Sequence, residues 1–207
     1  LFLLIPFLSR ISSTFTLIIF RGRLMLLKDV ADIIFSFPQK SKETLENNWL
    51  WLSSICLQED NRILEPQEEN NFIPDEGLRV YHGDVIIRRV QPQFVNYISE
   101  DKDYMVGQNL AIVRARNNIY PKYLAFILEA NLGCLYKDMA GTAVPAIKRG
   151  SFDELDIGDL PDMKKQCAIG EVWWLLKEKK KLSQRLLEQE KMLIEYKLKH
   201  LVKHRGN

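Results

Sequence analysis

The side chains whose types best suit a binding function are those that can contact base edges or phosphates. They fall in four separate segments of the sequence. Lys and Arg bind phosphate oxygens, while Arg, Lys, Gln and Asn carry donors that match base edges in a DNA groove. Successive strand positions face opposite sides, so at most one of Arg88 and Arg89 should face DNA. The candidate DNA-binding residues are Lys40, Lys42, Arg88, Arg89, Gln91, Gln108, Asn109, Thr142, Lys148 and Arg149.

No catalytic or metal-binding constellation is found in the sequence. Residues 141–150 lack the spacing of a phosphate-binding glycine loop, and no Gly-x-Ser-x-Gly motif occurs. The three cysteines and three histidines do not have metal-site spacing. We therefore expect a non-enzymatic, cytoplasmic protein with buried, reduced thiols and no metal or cofactor of its own. These residues are Cys56, Cys134, Cys167, His82, His200 and His204.

Charge is distributed unevenly along the chain, although the net charge of the 207 residues is only +2. Residues 177–205 hold ten Lys or Arg against four Glu, an excess of +6, so residues 1–176 carry −4. This asymmetry fits either a basic arm near a polyanion or the solvated face of a coiled coil. Composition alone favours the coiled coil.

Residues 25–160 are predicted to form one α/β domain of the α+β kind. A short helix or helix–strand turn is expected over 28–34, a strand over 85–90, a second strand over 110–116 and a helix from Pro121. Residues 49–57 and 155–160 also have strand character. The hydrophobic content of 46% is sufficient for a core.

Residues 1–24 form an apolar N-terminal extension that we expect to lie outside this domain. Pro6, Arg10 and the polar run 12–14 interrupt any apolar stretch of the roughly 20 residues that a membrane helix needs. Met25 directly precedes the first ordered pattern. A membrane-tethered interaction protein remains the alternative for this segment.

Residues 161–207 are predicted to form one long helix with an apolar stripe. Pro161 suits its first turn and Gly206 its end. At about 1.5 Å per residue the helix would be roughly 60 Å long, so its own domain could not cover the stripe. A partner helix is therefore expected. The stripe comprises Ile169, Val172, Leu175, Leu176, Leu182, Leu186, Leu193, Tyr196 and Leu201.

Five stripe positions are predicted to pair with a second helix. Two tryptophans adjoin the start of the helix, and we expect Trp173 or Trp174 to pack on the domain and the other to meet a partner. The helix-pairing residues are Leu175, Leu182, Leu186, Leu193 and Tyr196.

In combination, several segments resemble the DNA-specificity subunit of type I restriction–modification systems. Residues 27–34 (LKDVADII) resemble the opening of a target recognition domain, and 83–87 (GDVII) resemble its "GDIL" strand. Residues 108–114 and 121–124 resemble its central part, and 141–147 (GTAVPAI) with 155–161 its closing loop and strand. The Leu/Lys/Glu helix after Gln166 resembles the family's spacer helix. One departure is Phe35-Ser36-Phe37-Pro38, where the family has a glycine.

The resemblance implies a half-sized form, with one target recognition domain and one spacer helix where the family has two of each. A homodimer with antiparallel helices would then read an interrupted palindrome in double-stranded DNA. The family further implies partners: modification subunits that methylate adenine with S-adenosylmethionine, and the restriction motor–nuclease subunit. The alternatives are a coiled-coil protein-interaction adaptor and a silent specificity-cassette fragment that does not bind DNA.

Overall fold

The computed structural model describes residues 25–39, 49–65, 72–135 and 146–203. Its centre is a four-stranded antiparallel sheet in the order β1-β6-β3-β4. A two-stranded parallel sheet, β2-β5, lies beside it. The strands are β1 Ala31–Phe35, β2 Leu50–Leu52, β3 Val85–Arg88, β4 Val95–Tyr97, β5 Tyr104–Val106 and β6 Leu110–Ala115.

Five α-helices surround these sheets in the described part of the chain. They are α1 Leu27–Val30, α2 Pro121–Ala130, α3 Leu132–Leu135, α4 Arg149–Asp153 and α5 Met163–Lys203. Pro121 occupies the first turn of α2, where its missing N–H costs no hydrogen bond. The mixed architecture with a long C-terminal helix confirms the predicted fold class.

The main sheet is buried on both faces, which explains why its central strands are continuously apolar. On one face, Val85, Ile87 and Val113 pack against α2 and the start of α5. On the other, Ile86 and Ile112 pack against the small sheet. Alternating side chains therefore reach different cores, and both sides of β3 and β6 need apolar residues.

The strands predicted over 85–90 and 110–116, and the helix predicted from Pro121, are confirmed with ends shifted by up to two residues. The strand predicted over 155–160 is wrong. Only Asp156 forms a bridge, to Leu26, and Gly158 adopts φ +67, which turns the chain away. The segment from Arg149 to Asp153 forms the short helix α4, which buries Phe152 in the core.

Two further expectations are corrected. Cys56 is buried, but Cys134 is exposed and Cys167 is half-buried, so the three free thiols do not share one environment. Helix α5 begins at Met163 and not at Pro161. The Asp162 carboxylate accepts a hydrogen bond from Lys165 N at 3.0 Å, which caps the helix and lowers the pKa of Asp162.

Candidate nucleic-acid interface

The described parts of the four predicted DNA-reading segments meet at one end of the main sheet. Arg89 N donates to Asn109 O at 2.8 Å, and Ile147 N donates to Arg89 O at 2.7 Å. Ser36 N donates to Leu110 O at 3.1 Å. We call this region the loop end; it comprises residues 35–39, 89–91, 108–110 and 146–149.

Local backbone features create the turns of the loop end. A Cβ at Gly107 would lie 2.7 Å from Leu52 O, so only glycine allows the small sheet to approach so closely. Asn109 follows with φ 63, a left-handed conformation that asparagine tolerates. Gln91 also adopts a positive φ, of 47, which is uncommon for a residue with a long side chain. These turns present Gln91, Gln108 and Asn109 to solvent.

Arg88 and Arg89 extend to different sides, as strand alternation predicts. Arg88 Nη2 donates to Leu57 O at 2.6 Å, and its guanidinium lies 4.8 Å from the Phe94 ring centroid. The Arg89 guanidinium lies 4.3 Å from the Phe35 ring and 5.0 Å from the Phe37 ring. Burial lowers the pKa of both groups. Each has a buried Nε without a hydrogen-bond partner.

The other candidate residues differ in their placement. Lys148 is the N-cap of α4 and Arg149 its first residue; both are exposed, and Arg149 Nε lies 4.0 Å from Asp153. Lys40, Lys42 and Thr142 lie outside the described residues.

Sequence reasoning missed the aromatic contribution to the loop end. Phe35 and Phe37 are two positions apart, with Ser36 between them buried and its Oγ donating to Val106 O at 2.7 Å. Their spacing placed both rings on one face, which could have indicated a shared contact. The contact partner, Arg89, is 52 positions further along the chain, so local pattern alone could not supply it.

Helix α5 is attached to the domain through its first half. Trp173 is buried and its Nε1 donates to Glu129 Oε2 at 2.7 Å, while Lys177 Nζ donates to the other oxygen of Glu129. A Cβ at Gly170 would lie 2.7 Å from Tyr123 N, so α5 crosses α2 at backbone contact. Trp174 lies 5.4 Å from the Tyr97 ring. Both tryptophans therefore pack on the domain, which corrects the expectation for one of them.

A polar cluster closes the same helix–domain junction. Lys122 Nζ donates to both oxygens of Glu171 at 2.8 Å, and Tyr120 Oη donates to Glu171 Oε1 at 2.6 Å. The hydrogen bond from Lys122, and then that from Tyr120, lower the pKa of Glu171. The hydrogen bond to Glu171, together with burial, raises the pKa of Tyr120.

The opposite face of α5 carries the predicted pairing residues. Leu175, Leu182, Leu186, Leu193 and Tyr196 are all 54–64% exposed. At about 100° per residue they lie roughly opposite the domain-facing positions 166, 170, 173 and 177. Sequential spacings of 7, 4, 7 and 3 residues match the heptad pattern of a coiled-coil seam. The described structure leaves this stripe uncovered.

A cleft of about 400 Å³ between α5 and residues 61–64 is lined by charges of both signs, including Arg62, Lys102, Arg185 and Glu188. Within the described ranges, no group of three or more potential metal ligands occurs. Likewise, no described helix is long and apolar enough to cross a membrane.

Comparison with known proteins gives matches at the level of structure. No protein-family model and no curated protein matches the sequence. The HsdS subunit from Thermoanaerobacter tengcongensis matches with a TM-score of 0.56 and 19% identity, over 79% of this chain and 39% of that one. The S subunit of the type I restriction–modification system from M. genitalium matches with a TM-score of 0.58 and 13% identity, over 83% of this chain and 43% of that one.

A third match comes from a structure on complex assembly and conformational transition of the type I R-M system. It has a TM-score of 0.57 and 19% identity, over 83% of this chain and 42% of that one. The chain therefore has the fold of type I specificity subunits, an HsdS-like target recognition domain followed by a long helix. It spans about two fifths of the length of the chains that it matches.

Proposed function

We propose that this chain is a DNA-specificity subunit of a type I restriction–modification complex and that its loop end reads one half of a bipartite target. The observation that carries the proposal is the meeting of four predicted reading segments at one end of a domain with the specificity-subunit fold. Its role is recognition and not catalysis. Chemistry is left to a modification subunit that methylates adenine with S-adenosylmethionine, and to a motor–nuclease subunit that joins for cleavage.

The loop end has the groups that such a role requires. Lys148 and Arg149 are exposed cations, and the exposed amides are those of Gln91, Gln108 and Asn109. Lys40, Lys42 and Thr142 come from adjoining sequence. Cations bind phosphates without regard to sequence, whereas amides and guanidinium groups distinguish bases. Among the described residues, backbone hydrogen bonds of Arg89 to Asn109 and Ile147 join the segments that carry these two kinds of group at the end of the main sheet.

DNA binding can be tested with the purified chain and its modification subunit. Selection from random duplex DNA should yield an interrupted site. The logarithm of the binding constant should fall linearly with the logarithm of the salt concentration, with a slope of about −0.9 per phosphate contact. Lys148→Ala should reduce this slope by about one contact. Lys102→Ala is the matched control, because Lys102 is a comparable surface cation before β5, at the opposite end of the sheet from the loop end. Absence of DNA binding at low salt, even with the modification subunit, would refute the proposal.

The outward stripe of α5 supports an antiparallel pairing with a second copy of this helix. Two-fold symmetry would give two identical half-sites in inverted order, so the target of a homodimer is an interrupted palindrome. Helix length would set the spacing between half-sites. The paired helices would also offer a docking surface for the modification subunits.

Helix pairing can be tested separately from DNA binding. Leu182→Asp combined with Leu186→Asp should convert a dimer to a monomer, as measured by sedimentation equilibrium. Met192→Asp is the control, because Met192 is 62% exposed but lies about a third of a turn around the helix from Leu186. An unchanged mass for the double variant would refute pairing through this stripe. Dimerisation without DNA binding would favour the coiled-coil adaptor instead.

A further inference from the structure

The Arg89 guanidinium has an unusual environment for a half-buried cation. It contacts the faces of Phe35 and Phe37, and no described carboxylate forms an ion pair with it. Arg114, in the same sheet, shows the ordinary arrangement: its Nε and Nη2 each donate to Asp84 at 2.8 Å. A partly desolvated charge without a counter-charge is costly unless a ligand supplies acceptors.

The backbone of Arg89 is held on both sides by other loop-end segments. Its N–H donates to Asn109 O, and its C=O accepts from Ile147 N. Because the backbone of Arg89 is fixed and its guanidinium lies over two aromatic rings, few rotamers of the Arg89 side chain remain available. Its Nε is buried without a hydrogen-bond partner. The remaining N–H donors of the guanidinium are on the two Nη nitrogens.

We propose that Arg89, held in place by Phe35 and Phe37, is a specificity-determining residue that donates two hydrogen bonds to the major-groove edge of a guanine. This inference rests on the proposed DNA-binding function and names one base of the target. Guanine presents O6 and N7 as adjacent acceptors, which match the planar fork of a guanidinium. Phe35 and Phe37 are positioning residues, since they act through Arg89.

A phosphate could offer similar acceptors, but the surroundings favour a base. Phosphate contacts need charge and little orientation, so exposed flexible cations such as Lys148 suffice for them. Arg89 is instead oriented by packing. Exposed amide side chains belong to Gln91, two residues further along the chain, and to Asn109, whose backbone O accepts a hydrogen bond from Arg89 N. Preorganised planar donors beside amide groups are typical of base-edge recognition.

Arg88 is the matched control for this assignment. It is also half-buried, also lies over an aromatic ring and also lacks a described acidic partner. Its Nη2 is already occupied by Leu57 O at 2.6 Å, which ties residues 57–63 to the sheet. Arg88 therefore serves the fold, and its replacement by lysine should not change which base is preferred.

The experiment uses the full chain with its modification subunit and the half-site obtained by selection. Each G·C pair of that site is replaced in turn, and dissociation constants are measured for wild type, Arg89→Lys, Arg89→Gln and Arg88→Lys. We expect one pair at which wild type discriminates roughly tenfold to hundredfold, the usual range for a bidentate contact. Both Arg89 variants should lose that discrimination, whereas Arg88→Lys should retain it. Thermal unfolding of each variant shows whether it is folded.

Modified bases separate a guanine contact from a phosphate contact. At the identified pair, replacing guanine by 7-deazaguanine removes the N7 acceptor. This replacement should weaken DNA binding by the wild type but should change binding by Arg89→Lys very little. Inosine keeps O6 and N7 and should bind normally. A uniform loss of affinity in Arg89→Lys, with a smaller salt slope and unchanged preference at every pair, would assign Arg89 to phosphate and overturn the inference. That result would leave the DNA-binding function intact.

The positioning role of Phe37 can be tested separately, through its effect on base discrimination. Phe37 is 70% exposed, so Phe37→Leu should leave stability almost unchanged while removing the electrostatic attraction of the ring for the cation. Discrimination at the Arg89-dependent pair should fall severalfold and remain intact elsewhere in the site. Phe37→Tyr keeps the aromatic face and should restore it. Equal preference in all three proteins would show that Phe37 does not position Arg89.

Discussion

The two faces of helix α5 contain similar side chains in opposite environments. Trp173 faces the domain and is 7% exposed, whereas Leu175, two residues later, is 64% exposed. The domain-facing side is completed by hydrogen bonds to Glu129 and by backbone contact at Gly170. Along the outward side, exposed apolar side chains recur at heptad spacing. One face therefore belongs to the fold, and the other is available for association.

This difference separates stability from assembly along a single element. Changes on the domain-facing side should lower the free energy of unfolding of an isolated chain. Changes on the outward side should alter association and leave the isolated chain nearly unaffected. Four predictions test this division, beginning with the largest expected effect.

Trp173→Ala should destabilise the domain by about 3–5 kcal/mol, the usual cost of replacing a buried Trp by Ala. The substitution removes packing against the main core and the hydrogen bond to Glu129. Leu175→Ala is the control and should change stability by less than about 0.5 kcal/mol, as exposed positions do. Urea unfolding at a concentration where the chain is monomeric measures both. Equal losses would mean that the outward face also packs on the domain.

Glu129→Gln should cost about 2 kcal/mol, because Lys177 would remain buried without its counter-charge. Lys177 is buried, and its Nζ contacts the Glu129 carboxylate and Glu59 O. Glu178→Gln is the control: Glu178 forms an ordinary pair with Lys181 along the helix. That pair should contribute less than about 0.5 kcal/mol. Comparable effects in the two variants would contradict the assigned role of the buried pair.

The sequence could predict those elements whose signals are local, and it could not predict those that depend on residues far apart along the chain. Strand β6 and helix α2 were predictable, because an apolar run and a proline start are local signals. Strand β2 lies within residues 49–57, where strand character was expected, although only Leu50–Leu52 form it. Its partner β5 has three residues and lies about fifty positions away, so local periodicity is too short to reveal it. The strand expected over 155–160 failed because its apolar residues pack on α1 and β1 without a neighbouring strand to continue the ladder.

The candidate site shows the same limit. Residue types indicated which segments could contact DNA, and the described segments do meet at the loop end. Types could not distinguish Arg88 from Arg89, whose roles depend on Leu57 in one case and on Phe35 and Phe37 in the other. Residue types thus indicated the binding chemistry of each segment, whereas the orientation of each side chain depends on contacts with residues distant in sequence.

Gly170→Ala should lower stability by about 1–2 kcal/mol. The new Cβ would lie 2.7 Å from Tyr123 N, and a backbone atom cannot move aside by changing rotamer. Overpacking typically costs about 1–3 kcal/mol, while removing a helical glycine returns up to about 1 kcal/mol. Gly150→Ala is the control, since nothing lies within 4 Å of its added Cβ. Thermal unfolding should show opposite signs for the two variants, and stabilisation by Gly170→Ala would contradict the close helix crossing.

The smallest effect should be a pH dependence at the helix–domain junction. The hydrogen bonds from Lys122 and Tyr120 lower the pKa of Glu171, so the folded state favours the carboxylate. The resulting stability is fully present above the unfolded pKa of about 4.3 and is lost as pH falls through the lower folded pKa. Glu171 is 45% exposed, so solvent screening should limit the contribution to below about 1 kcal/mol.

Glu171→Gln should remove this contribution, so that the stabilities of variant and wild type converge as pH falls below the unfolded pKa and through the lower folded pKa of Glu171. Glu195→Gln, which changes an exposed carboxylate beyond the domain-contacting part of α5, should follow the wild-type curve throughout. A Glu171→Gln difference that stayed constant with pH would indicate that the glutamate contributes through shape and not through charge. The domain-facing side of α5 should therefore respond to acid through Glu171, whereas its outward side, which relies on leucines, should remain insensitive.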